Sequence, residues 1–234
     1  MPKFIVKEDF WDLFPEAQFA VILVKGVDNS GESSAEIQKE LSLANDASEK
    51  FTEAALFSEN PAIAVWRTAY QKFKTKKGAR ASIENLLKRA SKGNEVRSIN
   101  PLVDLYNIIS LKYGLPAGGE DLDSFASDLR LTFAKGGEEF IAIGEDKDSP
   151  CLEGEIAYLD DKGAVCRGWN WRDGQRTMLT EKTKNAFLIV ESCVAEQREA
   201  IIAAGQELSD LVKQEFGLSS QLQIIDRNHP EMKL

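Results

Sequence analysis

Apolar positions along this chain follow two rhythms, and the change between them falls near Pro116. Before it, helical spacing dominates. Ala17 to Val27 is the exception, a nearly unbroken apolar run closed by Asp28-Asn-Ser-Gly31, and it predicts a buried strand. Lys3 to Val6 predicts a shorter one. Ser33 and Ser34 open a helix expected to run to about Phe57, with Glu36 as capping-box partner. Asn60-Pro61 starts another, with Asn at the N-cap and Pro in the first turn. Its apolar face is Ile63, Val65, Trp66, Ala69, Tyr70 and Phe73. Lys74 to Gly78 reads as a basic loop, Ser82 to Ala90 as a helix, and Pro101 to Tyr113 as a helix stopped by Gly114 and Pro116.

After Pro116 the segments shorten and alternate. Ala117-Gly-Gly-Glu-Asp121 reads as a loop. Strands are expected at Leu129–Ala134, Phe140–Ile143, Gly154–Tyr158, Ala164–Trp171 and Ala186–Val190, with a hairpin turn at Asp160–Gly163. Ala195 to Phe216 is a long amphipathic helix, and Gln221 to Ile225 a closing strand. Helices gather in the first half and strands in the second. This predicts an α+β protein with layered mixed and antiparallel sheets rather than alternating βαβ units. The β-rich half needs those helices to cover its sheet, so one domain is expected over residues 1–234.

Asn100, Asp104 and Asn107 sit at i, i+4 and i+7 of the Pro101 helix and so share a face. Such a face is either satisfied internally or lines a polar pocket. Asn100 before Pro101 is also a strong N-cap.

The 234 residues carry 43% hydrophobic and 29% charged positions, as ordinary globular proteins do. No apolar run reaches the roughly 18 residues that span a bilayer, and the first residues lack the pattern of a signal peptide. Cys151, Cys166 and Cys193 are odd in number and unclustered, which predicts neither a disulfide framework nor a zinc site. A cytoplasmic protein without membrane contact is expected. Net charge is −9, which opposes general nucleic-acid affinity, and no DNA partner is expected. Yet between Arg67 and Arg97 ten basic residues face only Glu84 and Glu95. Such a patch is either a solvated helix face or an RNA contact on an acidic body; Lys74, Lys76, Lys77, Arg80 and Arg89 are its candidates. Arg80 and Glu84 are one turn apart, an ion pair or an arginine reaching a pocket.

His229 is the only histidine and lies near the C-terminus, in a segment expected to be mobile. That disfavours Ser-His-Asp and Cys-His catalysis. No GxSxG, Walker, GxGxxG or HExxH pattern occurs. Any hydrolysis would work by placing a water and stabilising charge. No metal site or cofactor is implied.

Three segments together carry a resemblance: Arg80-Ala-Ser-Ile-Glu84 through Arg89; Asn100-Pro-Leu-Val-Asp104-Leu-Tyr-Asn107 with Gly114-Leu-Pro116 and Asp121; and Cys166-Arg-Gly-Trp-Asn-Trp171-Arg172-Asp173 with Thr183 through Glu191. They resemble the free-standing form of the B3/B4 domain of the phenylalanyl-tRNA synthetase β subunit. The match is best over residues 80–191 and looser over the flanks, which include the C-terminal helix and tail at 195–234. In the synthetase this domain removes wrongly attached amino acids from tRNA. The resemblance implies aminoacylated tRNA as partner and deacylation as activity. It implies a pocket of Glu191, Thr183, Asn100, Asp104, Asn107, Gly118, Asp121 and Arg172. Glu191 matches the glutamate that reads the misattached side chain; holding an α-amino group is its other reading. Gly118 departs from the family, which has a histidine there, and so leaves the substrate open. Trp169 and Trp171 are expected on one strand face and Asn170 and Arg172 on the other. The aromatic pair reads either as core or as a stack for a terminal base at Trp171, and Arg172 either as a phosphate contact or as the partner of Asp173 or a glutamate. The chain has no ATP-binding core and is not a complete synthetase. A trans-editing deacylase, a non-catalytic RNA-binding module and a pocket protein for an amino-acid-like ligand all remain open.

Overall fold

The computed structural model describes residues 2–234. Ten strands and six α-helices form two sheets with helices on the outer face of one of them. The first sheet has the order β10-β1-β4-β5-β6-β7, with β1 (Lys3–Val6), β4 (Leu129–Phe133), β5 (Ile156–Asp160), β6 (Gly163–Arg167), β7 (Arg172–Asp173) and β10 (Glu231–Lys233). Only the β1–β4 pairing in it is parallel. The second is antiparallel throughout, β3-β8-β2-β9, from β3 (Ala117–Asp121), β8 (Asn185–Ser192), β2 (Gln18–Lys25) and β9 (Gln221–Ile225). The expected α+β class with mixed and antiparallel sheets is the one observed.

β2 and β8 are apolar on both faces because each face meets a different layer. Phe19, Val21, Leu23, Phe187 and Ile189 face the first sheet, where Phe4, Leu131 and Tyr158 meet them. Ala20, Ile22, Val24, Ala186, Leu188 and Val190 face α2 (Ala35–Ala47), α5 (Pro101–Tyr113) and α6 (Arg198–Phe216). Gly205 of α6 lets that helix lie close on β2: a Cβ there would stand 2.6 Å from that of Ala20. The helices α1 (Glu8–Leu13), α3 (Pro61–Tyr70) and α4 (Ser82–Ala90) close the end of the inter-sheet core with Phe10, Trp66 and Ile83, all fully buried.

Local signals set α5. Asn100 Oδ1 accepts from the Val103 amide at 3.1 Å, Pro101 opens the helix, and Gly114 ends it at φ +64°. Six expectations change. The helix opened by Ser34 stops at Ala47 and passes into a 3₁₀ turn, Ser48–Phe51. Glu215, not Glu36, takes the backbone amide and hydroxyl of Ser34, because α6 brings it there. Asn60 precedes α3 as expected, but its side chain accepts from Ala54 and donates to Phe57, so it closes the preceding loop instead of capping. Ala117–Asp121 is a strand, made so by pairing with β8. Phe140–Ile143 has only an isolated bridge, Ala142 to Gly174. The C-terminal segment is tied down: β10 pairs with β1 and buries Met232 and Leu234.

Candidate functional site

Glu191 is the last inward-facing position of β8, after Phe187 and Ile189. It is 2% exposed, and its amide donates to the Pro116 carbonyl at 2.9 Å. Three donors reach its carboxylate. The Tyr158 hydroxyl and Trp169 Nε1, the latter at 3.2 Å, donate to Oε1; Asn170 Nδ2 donates to Oε2. Burial pushes the pKa up to about 7, and the three hydrogen bonds from Tyr158, Asn170 and Trp169 act against that rise. The carboxyl group therefore changes charge near neutrality.

The turn after β6 delivers two of those donors. Gly168 and Trp169 both have positive φ, +63° and +61°. For tryptophan that conformation costs on the order of 1 kcal/mol. Packing offsets it, because the Trp169 ring is fully buried among Phe10, Phe14 and Trp66 at centroid distances of 4.8–4.9 Å. The strand expected through Trp171 thus ends at Arg167, and the tryptophans do not share a strand face. The Tyr70 hydroxyl donates to the Gly168 carbonyl at 2.6 Å and lies 3.0 Å from Asn170 Oδ1. That contact turns the Asn170 amide nitrogen toward Glu191. Beneath the turn, Arg167 and Glu155 form a fully buried ion pair with bonds of 3.0 and 2.8 Å.

Glu191 lines a cleft between the sheets whose empty space, counted to its mouth, is about 460 Å³. Gly118 and Glu120 of β3 form one wall beside Phe187 and Ile189. Tyr158, Val165, Cys166 and Asp173 of the first sheet form the facing wall, and Leu129, Ser82 and Asn170 complete it. Among the described residues no Lys, Arg or His lines the cleft. Gly118 leaves it open, since nothing lies within 4 Å of where its Cβ would be.

The other expected pocket residues lie outside this lining. Thr183 is buried and donates to Asp121 Oδ2 at 2.8 Å, while the Asp121 amide donates to the Thr177 carbonyl; together they tie the loop before β8 to the end of β3. Asn100 caps α5 and accepts from Asn29. Asp104, fully buried, accepts from Ser33, Ser98 and the Ile99 amide. Asn107 is buried on the same helix. Arg172 is exposed, pairs with Glu145, and lies 5.1 Å above the Trp171 ring. Glu84 takes Arg67 as its main partner, at 2.6 Å, with Arg80 at 3.8 Å. Lys74, Lys76, Lys77 and Arg89 are exposed and make no ion pair among the described residues. Lys74, Lys76 and Lys77 share with Arg80 a loop that runs into Ser82 at the cleft wall, whereas Arg89 lies on α4.

Sequence reasoning missed Tyr158, Asn170, Glu120 and Asp173 as site residues. Their signal was weak: each lies in a short strand or turn whose partner is distant in sequence. Among the described residues no group of three His, Cys, Asp or Glu side chains is placed to hold a metal ion, and no helix is long and apolar enough to cross a membrane.

A two-sheet α+β body enclosing a carboxylate-floored cleft defines the class, and comparison with known proteins gives the family. The B3/4 domain model matches residues 65–208, and the chain belongs to that family. Over 95 residues it is 33% identical to the phenylalanine–tRNA ligase beta subunit of Streptococcus pneumoniae, covering 40% of this chain and 12% of that protein. The same subunit from Idiomarina loihiensis is 31% identical over 98 residues, covering 40% and 11%. The chain thus spans about a tenth of the length of these curated relatives. An N-terminal fragment of the phenylalanyl-tRNA synthetase beta subunit from Pyrococcus horikoshii shares the fold, with a TM-score of 0.50 at 13% identity, over 97% of this chain and 52% of that one.

Proposed function

We propose that this protein binds tRNA and hydrolyses the ester of mischarged aminoacyl-tRNA in trans, acting in the cytoplasm as one domain over residues 1–234. The single observation that carries the reading is Glu191: a buried carboxyl group in a cleft between the sheets, held by three donors, with its pKa pushed up to about 7. Family membership and the tRNA-ligase relatives support the substrate class.

In this reading the aminoacyl group enters the cleft and the tRNA end stays at its mouth. A water adds to the ester carbonyl, the bond to the ribose oxygen breaks, and that oxygen takes a proton as it leaves. Glu191 contacts the aminoacyl group and orients it against that water. Gly118 makes the cleft wider than a side chain there would allow. Lys74, Lys76, Lys77, Arg80 and Arg89 contact tRNA phosphates, with Trp171 and Arg172 beside them on the outer rim. Thr183, Asp121, Asn100, Asp104 and Asn107 act on the pocket by holding its walls. A panel of mischarged tRNAs assayed for ester loss is the test. Hydrolysis of at least one member, with at least tenfold slower turnover in Glu191→Ala, is expected. No hydrolysis of any member, or an unaltered rate in the variant, rejects the activity.

The exposed basic loop favours a second reading, a non-catalytic RNA-binding module, which tRNA binding without ester loss would select.

A further inference from the structure

One carboxylate in the cleft has no part in the arrangement around Glu191. Glu120 is 5% exposed and faces the cleft from β3. Its Oε2 is buried with no hydrogen-bond partner. An unpartnered buried acceptor is costly, by about 1–3 kcal/mol. Asp173 lies on the facing wall and is also a cleft residue. Burial raises the pKa of both; Asp173 raises that of Glu120 further, while Thr177 and Arg176 lower it and the Cys166 thiol lowers that of Asp173. The Thr177 hydroxyl lies near enough to Glu120 to lower its pKa but not in good hydrogen-bond geometry, and Arg176 is committed to Asp160 at 2.8 Å through both terminal nitrogens.

Position matters as much as charge. Glu120 pairs with Phe187, four residues from Glu191 on β8. At about 3.3 Å per residue the two backbones are ~13 Å apart along the strand. Phe187 and Ile189, with Leu129 and Val165 opposite, occupy the stretch between. The cleft thus carries Glu120 and Glu191 on one wall and Asp173 on the other beside these apolar side chains, and among the described residues no cation lines it. Among the described residues no three of its acidic groups come together to hold a metal ion. A compact ammonium group, which donates three separate N–H bonds, suits such spacing.

We propose that Glu120, with Asp173 opposite, forms an ammonium-binding subsite, so that the cleft selects amino-acid-sized ligands carrying a primary ammonium beside an apolar body. This deepens the deacylase reading and rests on the cleft being its substrate site. The ammonium is either the α-amino group of an aminoacyl ester or the end of a basic side chain.

Isothermal titration of the full chain tests the idea with three probes. L-phenylalaninamide carries only an α-ammonium, Nα-acetyl-L-lysinamide only a side-chain ammonium, and N-acetyl-L-phenylalaninamide neither. Binding of one or both ammonium probes is expected, the pattern identifying the source. Glu120→Gln should weaken that binding about tenfold, as loss of a charged hydrogen bond does. The acetylated phenylalanine probe should bind at least tenfold more weakly than the preferred ammonium probe. Failure of both ammonium probes to bind overturns the proposal, as does equal affinity in wild type and Glu120→Gln. Glu120→Gln replaces a buried carboxyl group by an amide of the same shape and should melt no lower than wild type; Asp173→Asn, on the other sheet, is the second variant and should also weaken the preferred probe. Amide binding needs no ester cleavage. Glu120-dependent binding without tRNA deacylation therefore rejects the activity alone, and deacylation with Glu120-independent binding rejects the subsite alone.

Discussion

Tyr158 on β5 and Glu191 on β8 meet across the space between the two sheets, the phenol donating to Oε1 of the carboxylate. Burial and the facing charge push the Tyr158 pKa well up, so the phenol remains a donor throughout the range in which Glu191 titrates. The pair joins the sheets at the cleft and leaves the carboxyl group half ionised near neutrality.

Protein stability should report that titration. The Glu191 pKa is raised in the folded state, from 4.5 to about 7. The folded state thus binds more protons than the unfolded one between those values, and stability falls as pH rises through them. The loss amounts to on the order of 3 kcal/mol. Chemical denaturation of wild type and Glu191→Gln at pH 4.5 and pH 8 checks this, because other groups cancel in the difference. The wild type should lose stability relative to the variant by roughly that amount on going to pH 8. A pH-independent difference would contradict the raised pKa.

Adjacent glycines on β3 should behave in opposite ways. Gly118 faces the cleft, with nothing within 4 Å of a built Cβ, whereas at Gly119 the Cβ would lie 2.6 Å from Leu188 Cδ2 and 3.0 Å from Leu179 Cδ1. Gly119→Ala should destabilise by about 1–3 kcal/mol through overpacking against the helix-side core. Gly118→Ala should change stability by less than about 0.5 kcal/mol while reducing cleft volume. Equal melting temperatures for the two variants would contradict this division of faces.

The same strand marks where sequence reasoning stops. α5 was legible to the residue because its signals are local: Asn100, Pro101 and Gly114 start and stop it without help from the rest of the chain. Glu191 was legible as a carboxylate ending an apolar strand. Ala117-Gly-Gly-Glu-Asp121 was not, because its extended form comes from pairing with β8, some seventy residues later. Reading it as a loop hid Glu120 and its alignment with Phe187. Asn170 and Trp169 were hidden for a related reason. A left-handed tryptophan is locally unfavourable, and only the aromatic cluster around it makes the turn stable.

That turn also depends on the buried Arg167–Glu155 pair, whose side chains are 1% and 0% exposed. Glu155→Ala should cost about 3–5 kcal/mol, since it strands a guanidinium in the core. The Glu155→Leu/Arg167→Met double variant should recover part of this. Denaturation of single and double variants measures the coupling, and additive effects would contradict it. Glu155 stands 3.5 Å from a built Gly168 Cβ, so the loss should also loosen Asn170 against Glu191.

The basic loop gives a prediction in salt dependence. Among the described residues Lys77 has no ion-pair partner and Lys76 bonds only the Ser149 hydroxyl, at 2.9 Å, so both are available to phosphate. Each phosphate contact with single-stranded nucleic acid contributes about 0.7 to the slope of log affinity against log salt, and with a duplex about 0.9. Reversing both charges in Lys76→Glu/Lys77→Glu should therefore weaken tRNA binding and reduce that slope by roughly 1.5. The cleft lies beyond Ser82, so the two substitutions should leave binding of small amide probes unchanged. Filter binding across a salt series measures the first effect and calorimetry the second. If the slope were unaltered, the loop would be only a solvated edge of the acidic body, and tRNA contact would have to be sought on the rim formed by Trp171 and Arg172.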